Sequence, residues 1–236
     1  MAEQRRDHHI SHRYDQELEA LRDEVLGMGS KVEQQIENAM LALSEGDEER
    51  AQATIREDHA INAMEVAADE RAVSLLARRT PAARDLRFVM TAIKTITDLE
   101  RMGDEAERIA RVARRLIRSQ CLPSYPALPA MSQAVREQTR QALDCLASMD
   151  AETALEVHGQ DRQIDEMFES IFRELLTYMM EDSKNISSSI DVLFVARALE
   201  RIGDHAKNVT EYVIYMVHGK DVRHTDVDHL DLDESN

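Results

Sequence analysis

One acidic motif occurs twice in the sequence, at positions one hundred residues apart. Residues 99–104 read Leu-Glu-Arg-Met-Gly-Asp, and residues 199–204 differ from them only in having Ile in place of Met. Residues four apart lie on one face of a helix, so the glutamate and the aspartate of each copy form a pair of adjacent carboxylates. Carboxylate oxygens are the ligands that hard divalent cations prefer in proteins. The four residues concerned are Glu100, Asp104, Glu200 and Asp204.

Each copy of the motif carries two local penalties, which favours a function over a solvated acidic face. Like charges at this spacing repel by roughly 0.2–0.5 kcal/mol, and a glycine inside a helix costs roughly 0.8–1 kcal/mol relative to alanine. No basic side chain lies one helical turn from Glu100, and Glu200 has only Arg197. We expect Gly103 and Gly203 to let a neighbouring backbone, water or ligand approach the helix closely.

The helix that precedes each motif supplies further oxygen atoms. In two antiparallel helices joined by a short turn, residues equidistant from the turn lie at the same height. Asp58 and Asn62 then face the first motif, and Asp161 and Asp165 face the second. Facing rows of this kind predict two sites for Mg, Ca, Mn or iron, the first with one carboxylate fewer than the second. The predicted metal ligands are Asp58, Glu100 and Asp104 in the first site, and Asp161, Asp165, Glu200 and Asp204 in the second.

Two histidines, His59 and His205, stand close to these positions and are weaker candidates as ligands. The ferritin-like di-metal pattern is absent, because no histidine has a glutamate three residues before it. The sequence also lacks a glycine-rich phosphate loop, a nucleophile elbow and a His-Glu-x-x-His motif. These absences disfavour a redox or hydrolytic enzyme.

Composition and charge restrict the class of protein. The chain has 236 residues and a net charge of −17, which disfavours nucleic acid as a partner because binding to phosphates depends on Lys and Arg. It contains no apolar stretch of about 20 residues and no signal peptide, so we expect a cytoplasmic protein without a membrane span. Cys121 and Cys145 have no metal-binding or disulfide-scaffold spacing, so we expect two reduced thiols.

The elements that position the acidic rows are all predicted to be helices. Apolar residues recur at steps of three and four along the third helix, and the same steps recur one hundred residues later. We therefore predict an all-α fold of two tandem antiparallel three-helix bundles related by internal duplication. The predicted segments are a flexible N-terminus (1–13), a first bundle (14–118), a linker (119–129), a second bundle (130–218) and an acidic C-terminal tail (219–236).

Two boundaries within the bundles follow from local signals. Thr80 and Pro81 are typical of a helix start, and we assign to them the beginning of the third helix. Asp150 is a good N-cap, and we predict one continuous helix from it to about Met180.

The motifs taken together resemble the PhoU family of bacterial phosphate-transport regulators. The resemblance spans both repeats and rests on residues 21–36, with their Met-Gly and Val-Glu, on 77–87 (ARRTPAARDLR), 98–104 (DLERMGD), 172–180 (FRELLTYMM) and 199–208 (LERIGDHAKN). It implies a homodimer of pseudosymmetric three-helix bundles whose acidic motifs bind iron, zinc or another divalent metal. The seven acidic positions match the family pattern, whereas Asn62 departs from it.

The resemblance also implies a role. PhoU-like proteins act with the ATPase subunit of the phosphate ABC transporter and with a membrane sensor histidine kinase, and they keep the phosphate regulon off when phosphate is plentiful. Two classes therefore stay open: a non-enzymatic signalling adaptor, and a metal-dependent phosphate-handling enzyme or metal store built on the same acidic sites. The lack of a recognisable base, nucleophile or phosphate cradle favours the adaptor.

Overall fold

The described part of the chain forms seven α-helices and one short 3₁₀ turn. The computed structural model describes residues 2–78, 83–120, 127–220 and 222, with side chains from residue 14 onward. Across these ranges every regular element is helical, as the apolar periodicity predicts. The helices are α1 (Ala2–Glu45), α2 (Glu48–Arg78), α3 (Ala83–Arg118), α4 (Ala127–Ser148), α5 (Ala151–His158), α6 (Asp161–Glu181) and α7 (Ile186–His218), with the 3₁₀ turn at Ser183–Asn185.

The helices assemble as two bundles, which confirms the predicted architecture. Helices α1, α2 and α3 pack together, and α4, α5, α6 and α7 form the second bundle, with α3 against α7 in the centre. The repeated apolar seams provide the two cores. Leu99 and Ile109 on α3 and Leu199 and Ile202 on α7 are all fully buried. The apolar residues that recur at steps of three and four thus form the buried inner faces of the two central helices.

The middle helix of the second bundle differs from the prediction, because it is broken rather than continuous. The regular helix stops at His158 and resumes at Asp161. Across the gap the backbone bonds shorten to i→i−3, with Gln160 N–H donating to Val157 O and Gln163 N–H to Gln160 O. Gly159, the poorest helix former in this stretch, lies at the break. The predicted N-cap is present, since Asp150 Oδ1 accepts the backbone N–H of Thr153 at 3.0 Å.

Two other predicted boundaries differ from the observed helix limits, and the rest lie mostly outside the described residues. Helix α1 begins at Ala2, twelve residues before the start of the first predicted bundle. The predicted helix start at Thr80 and Pro81 lies outside the described residues, as do most of the predicted linker and tail. Helix α4 begins at Ala127, inside the segment that the sequence assigns to the linker.

The motif glycines serve close packing of side chains, not the approach of backbone, water or ligand that their sequence context suggests. A Cβ on Gly103 would lie 3.2 Å from Gln35 Oε1 and 3.3 Å from Ile61. A Cβ on Gly203 would lie 3.2 Å from both Gln138 Oε1 and Ile164 Cδ1. The same glutamine–isoleucine–glycine contact in both bundles shows how closely the duplication is kept in three dimensions.

A buried carboxylate joins the two bundles at their centre. Asp98 on α3 is almost fully buried and faces three side chains of α7. Its Oδ1 lies 2.8 Å from His205 Nδ1 and accepts the Asn208 amide at 3.3 Å, while its Oδ2 accepts the Tyr212 hydroxyl at 2.8 Å. Since a carboxylate only accepts, His205 Nδ1 carries the proton of the first contact. A second buried carboxylate on α3, Glu105, receives Arg201 of α7 at 3.1 Å.

Two further observations bear on the sequence predictions. None of the helices in the described ranges contains a segment with the length and low polarity of a membrane span. Cys145 is a free thiol buried in α4, and burial raises its pKa to about 11, so it is protonated at neutral pH. Cys121 lies outside the described residues.

We expect Asp98→Ala to lower the free energy of unfolding by about 2–4 kcal/mol, because it removes the acceptor that one buried and two half-buried donors on α7 share. Urea denaturation followed by circular dichroism measures this change. The control is Asp191→Ala, which removes the contact of Arg115 with Asp191 nearer the surface between the same two helices and should cost under about 1 kcal/mol. Equal losses in the two variants would contradict the central role of Asp98.

Candidate metal sites

The second acidic cluster lies between the start of α6 and the middle of α7. Asp161 and Asp165 occupy the first two turns of α6, and Glu200 and Asp204 occupy successive turns of α7. The carboxylates of the two helices interact electrostatically across the interface, as equal height in antiparallel helices requires. Asp161 and Glu200 are buried, whereas Asp165 and Asp204 are exposed. The structure thus places all four residues predicted for this site on facing sides of α6 and α7.

Two basic side chains enter the second cluster. Lys207 Nζ donates to Asp161 Oδ2 at 2.7 Å, and Arg197 Nη1 donates to Glu200 Oε1 at 2.7 Å. The sequence analysis recognises Arg197 but misses Lys207. Its spacing is a usable signal, because it follows Asp204 by three residues and therefore lies on the same side of α7. A cation bound here would compete with Lys207 for Asp161.

The first cluster has the same layout and a different set of neighbours. Asp58 on α2 is buried, and it faces Glu100 and Asp104 on α3. Amide groups replace the lysine, since Asn62 Nδ2 donates to Asp58 Oδ2 at 3.2 Å and Gln35 Nε2 donates to Asp58 Oδ1 at 3.4 Å. The three predicted carboxylates therefore lie on facing sides of α2 and α3. Asn62, which departs from the family pattern, uses its amide nitrogen to bind Asp58.

Five carboxylates of the two clusters are harder to ionise than free ones. The pKa values of Glu100, Asp104, Asp165, Glu200 and Asp204 are all raised, first by burial and then by the neighbouring carboxylates. In the second cluster, Lys207 and Arg197 oppose the rise for Asp165 without cancelling it. Negative charge is thus concentrated on both faces, which is the condition that favours a bound cation.

The donor set fits a hard divalent cation in its chemistry. All the acidic side chains in the two clusters offer oxygen, and Glu200 Oε2 is a buried acceptor without a hydrogen-bond partner. Among the residues whose side chains are described, no three Asp, Glu, His or Cys groups converge tightly enough to hold one ion in their present rotamers. Side-chain rotation would be needed to gather the oxygens around a metal.

Neither candidate histidine joins its cluster. His59 is exposed on α2, and His205 turns its Nδ1 toward Asp98, the buried carboxylate between the bundles. The helical spacing that places His205 beside Asp204 gives no information about a neighbouring bundle. The sequence analysis for the same reason did not single out Asp98.

Comparison with protein families assigns both halves of the chain. Residues 25–113 and residues 128–213 each match the PhoU domain. The chain belongs to the PhoU family. The two matched segments coincide with the two bundles, so the internal duplication is a duplication of the PhoU domain itself.

Relatives with family names match over nearly the whole chain. A Pseudomonas putida protein named "Phosphate-specific transport system accessory protein PhoU homolog" is 47% identical over 218 residues, which cover 92% of this chain and 85% of the relative. The Escherichia coli K12 protein named "Phosphate-specific transport system accessory protein PhoU" is 42% identical over 223 residues, covering 94% and 92%.

Solved PhoU structures share the fold. The crystal structure of PhoU from Pseudomonas aeruginosa superposes with a TM-score of 0.85 at 42% identity, covering 88% of this chain and 100% of that one. The structure of the phosphate transport system regulatory protein PhoU from Streptococcus pneumoniae gives a TM-score of 0.83 at 31% identity, covering 89% and 99%.

The raised pKa values predict that acid stabilises the metal-free acidic clusters. A group whose pKa is higher in the folded state contributes stability at low pH, and this contribution is lost as the pH rises through the folded pKa. The folded values of Glu200 and Asp204 lie above 4.5 and 3.8 respectively. We expect Glu200→Gln/Asp204→Asn to raise the free energy of unfolding at pH 7 by roughly 0.5–1 kcal/mol and to change it less at pH 4.

Urea denaturation in the presence of a chelator measures this effect at the two pH values. The matched control is Glu166→Gln, an exposed carboxylate on α6, which should leave the unfolding free energy nearly unchanged at both. A double variant that is less stable than the wild type at pH 7 would contradict the proposed repulsion.

Proposed function

We propose that this protein is the accessory, regulatory component of a phosphate-specific transport system and has no catalytic activity of its own. The match of both bundles to the PhoU domain carries this proposal. It is supported by relatives of nearly equal length whose names state an accessory role in phosphate-specific transport. A chain built of two helical bundles with an acidic cluster on each suits an adaptor that binds other proteins.

The finer role concerns the partners. In our proposal the protein is a cytoplasmic homodimer that links the ATPase subunit of the phosphate ABC transporter to a membrane sensor histidine kinase. It holds the kinase in its repressing state when phosphate is plentiful. The resemblance of residues 77–87, 98–104 and 199–208 to the signature motifs of the family supports this assignment.

The same proposal includes a divalent metal at each acidic cluster. Asp58, Glu100 and Asp104 would hold one, and Asp161, Asp165, Glu200 and Asp204 the other, with iron or zinc as the first candidates and Mg, Mn or Ca as alternatives. The concentrated negative charge and the unpartnered Glu200 Oε2 support it. A bound metal would supply positive charge that neutralises the facing rows and fixes α6 against α7 and α2 against α3.

We expect the second cluster to bind metal more tightly, since it offers four carboxylates where the first offers three. Glu200→Gln/Asp204→Asn should therefore lower the metal content of purified protein more than Glu100→Gln/Asp104→Asn does. Elemental analysis after loading with iron, zinc or manganese and gel filtration provides the measurement. Lys207→Gln is a useful companion, because freeing Asp161 from its ion pair should increase occupancy of the second cluster. Equal losses from the two double variants would remove the asymmetry.

Deleting the gene should leave phosphate-starvation genes expressed in phosphate-rich medium, because the proposed repressing adaptor has been removed. A reporter fused to a phosphate-starvation promoter measures this in the deletion strain. Wild-type protein and the Glu166→Gln control supplied from a plasmid should both restore repression. If the deletion strain represses the reporter normally, the regulatory function is wrong.

A further inference from the structure

Exposed large apolar side chains gather at the tip of the second bundle. Among the described residues, seven of the twelve exposed large apolar side chains fall between Phe172 and Phe194. Phe172, Leu176 and Ile190 are 39%, 42% and 40% exposed. An apolar patch of this kind on a charged protein marks a site of interaction.

Two contacts define how α6 and α7 run beside each other. The Arg197 guanidinium lies over the Phe168 ring, 5.3 Å from its centroid. Lys207 Nζ bonds Asp161 at 2.7 Å. From the first contact to the second, the position moves back seven residues along α6 and forward ten residues along α7. The two helices are therefore antiparallel. The outer valley between the two helices is called here the α6–α7 groove.

Helical spacing assigns the lining of the α6–α7 groove on either side of the Arg197–Phe168 contact. Steps of three, four and seven residues keep side chains on one side of a helix. Toward the hairpin tip the groove is apolar, and in the opposite direction it is acidic. The apolar half contains Phe172, Leu176 and Met179 from α6 and Leu193, Ile190 and Ile186 from α7, and the acidic half contains Asp161, Asp165, Glu200 and Asp204.

The duplication provides an internal comparison. Matching Ile61 to Ile164, which pack on the two motif glycines, aligns α2 with α6 at an offset of 103 residues. Glu65 and Asp69 then stand where α6 has Phe168 and Phe172. Both bundles keep an acidic cluster, but at these two aligned positions the second bundle has aromatic side chains where the first has acidic ones. The apolar half of the α6–α7 groove is therefore not a requirement of the bundle fold.

The charge around the groove selects its occupant. Residues 161–207 carry ten acidic and six basic side chains, and within the acidic half Glu200 Oε2 is buried without a partner. A second copy of this chain would bring to this groove the same excess of acidic over basic side chains, and an anionic lipid surface would be repelled. A segment with both apolar and basic side chains would complement the apolar half and the acidic half at the same time.

We propose that the α6–α7 groove binds an amphipathic helix of a partner protein, with apolar side chains over Phe172, Leu176 and Ile190 and Lys or Arg side chains over the acidic half. Helices commonly bind in this way, with anchors at three- and four-residue spacing. The groove from Asp161 to Met179 spans 18 residues, or about 27 Å at 1.5 Å per residue. A partner helix of about five turns fills it.

Fluorescence anisotropy with synthetic helical peptides of about 20 residues tests this surface directly. Each peptide carries Leu at i, i+4 and i+7 in one half and four Lys in the other, and a second pair carries Glu in place of Lys. Making each in both orders covers both directions of docking. Measurements in a chelator separate this surface from the proposed metal binding, so that either proposal can fail alone.

We expect the Lys peptides to bind at least about tenfold more tightly than the Glu peptides, with an affinity that falls as salt is added. Phe172→Ser/Leu176→Ser/Ile190→Ser should weaken binding about tenfold or more, since it removes the apolar anchors. Val66→Ser/Val73→Ser is the control, because these α2 side chains are 57% and 59% exposed in the first bundle. Circular dichroism checks that all variants are folded.

A separate variant probes the acidic half. Asp165→Asn/Glu200→Gln should weaken the Lys peptides and leave the Glu peptides no weaker. Equal affinity for Lys and Glu peptides, or unaltered binding by the triple variant, would overturn the proposal. So would loss of a dimer in the triple variant by light scattering, which would assign the groove to a second copy. Binding to phosphatidylethanolamine–phosphatidylglycerol vesicles that the triple variant abolishes would assign it to a membrane instead.

Discussion

The packing of α3 against α7 is the contact on which the rest of the structure depends. These helices supply the inner walls of both cores, and each also carries one copy of the acidic motif on its outer side. The contact is polar at its centre, where Asp98 accepts from His205, Asn208 and Tyr212. A buried carboxylate with several donors fixes one register, because sliding by a turn would break all three contacts with Asp98 at once. The relative position of the two acidic faces is therefore set by this network.

The sequence predicts the fold well because the information is local and occurs twice. Apolar steps of three and four residues identify the long helices, and the hundred-residue repeat identifies the second bundle from the first. The exact helix limits are less accessible. The break at Gly159 involves only a few backbone hydrogen bonds. A single glycine followed by a glutamine predicts such a break only weakly.

The sequence predicts which acidic side chains face each other, but it misses two of the polar contacts around them. Counting residues from a turn brings Asp161 and Asp165 to the height of Glu200 and Asp204, and the structure agrees. The partner of His205 could not be found in this way, because Asp98 belongs to the other bundle and the sequence gives no register between bundles. Lys207 could have been found, since its spacing from Asp204 is that of one helical turn.

The interruption at Gly159 and Gln160 makes the two acidic rows electrostatically unequal. Asp161 begins α6, so its carboxylate lies at the amino-terminal end of a helix, where backbone N–H groups lack helical acceptors and the helix dipole is positive. Asp58, its counterpart, lies in the interior of the uninterrupted α2 and has no such field. A carboxylate in the first turn of a helix gains roughly 0.3–1 kcal/mol from this effect. The two copies of the repeat thus differ in the backbone environment of this aspartate, in addition to having Asn62 in the first copy where the second has Asp165.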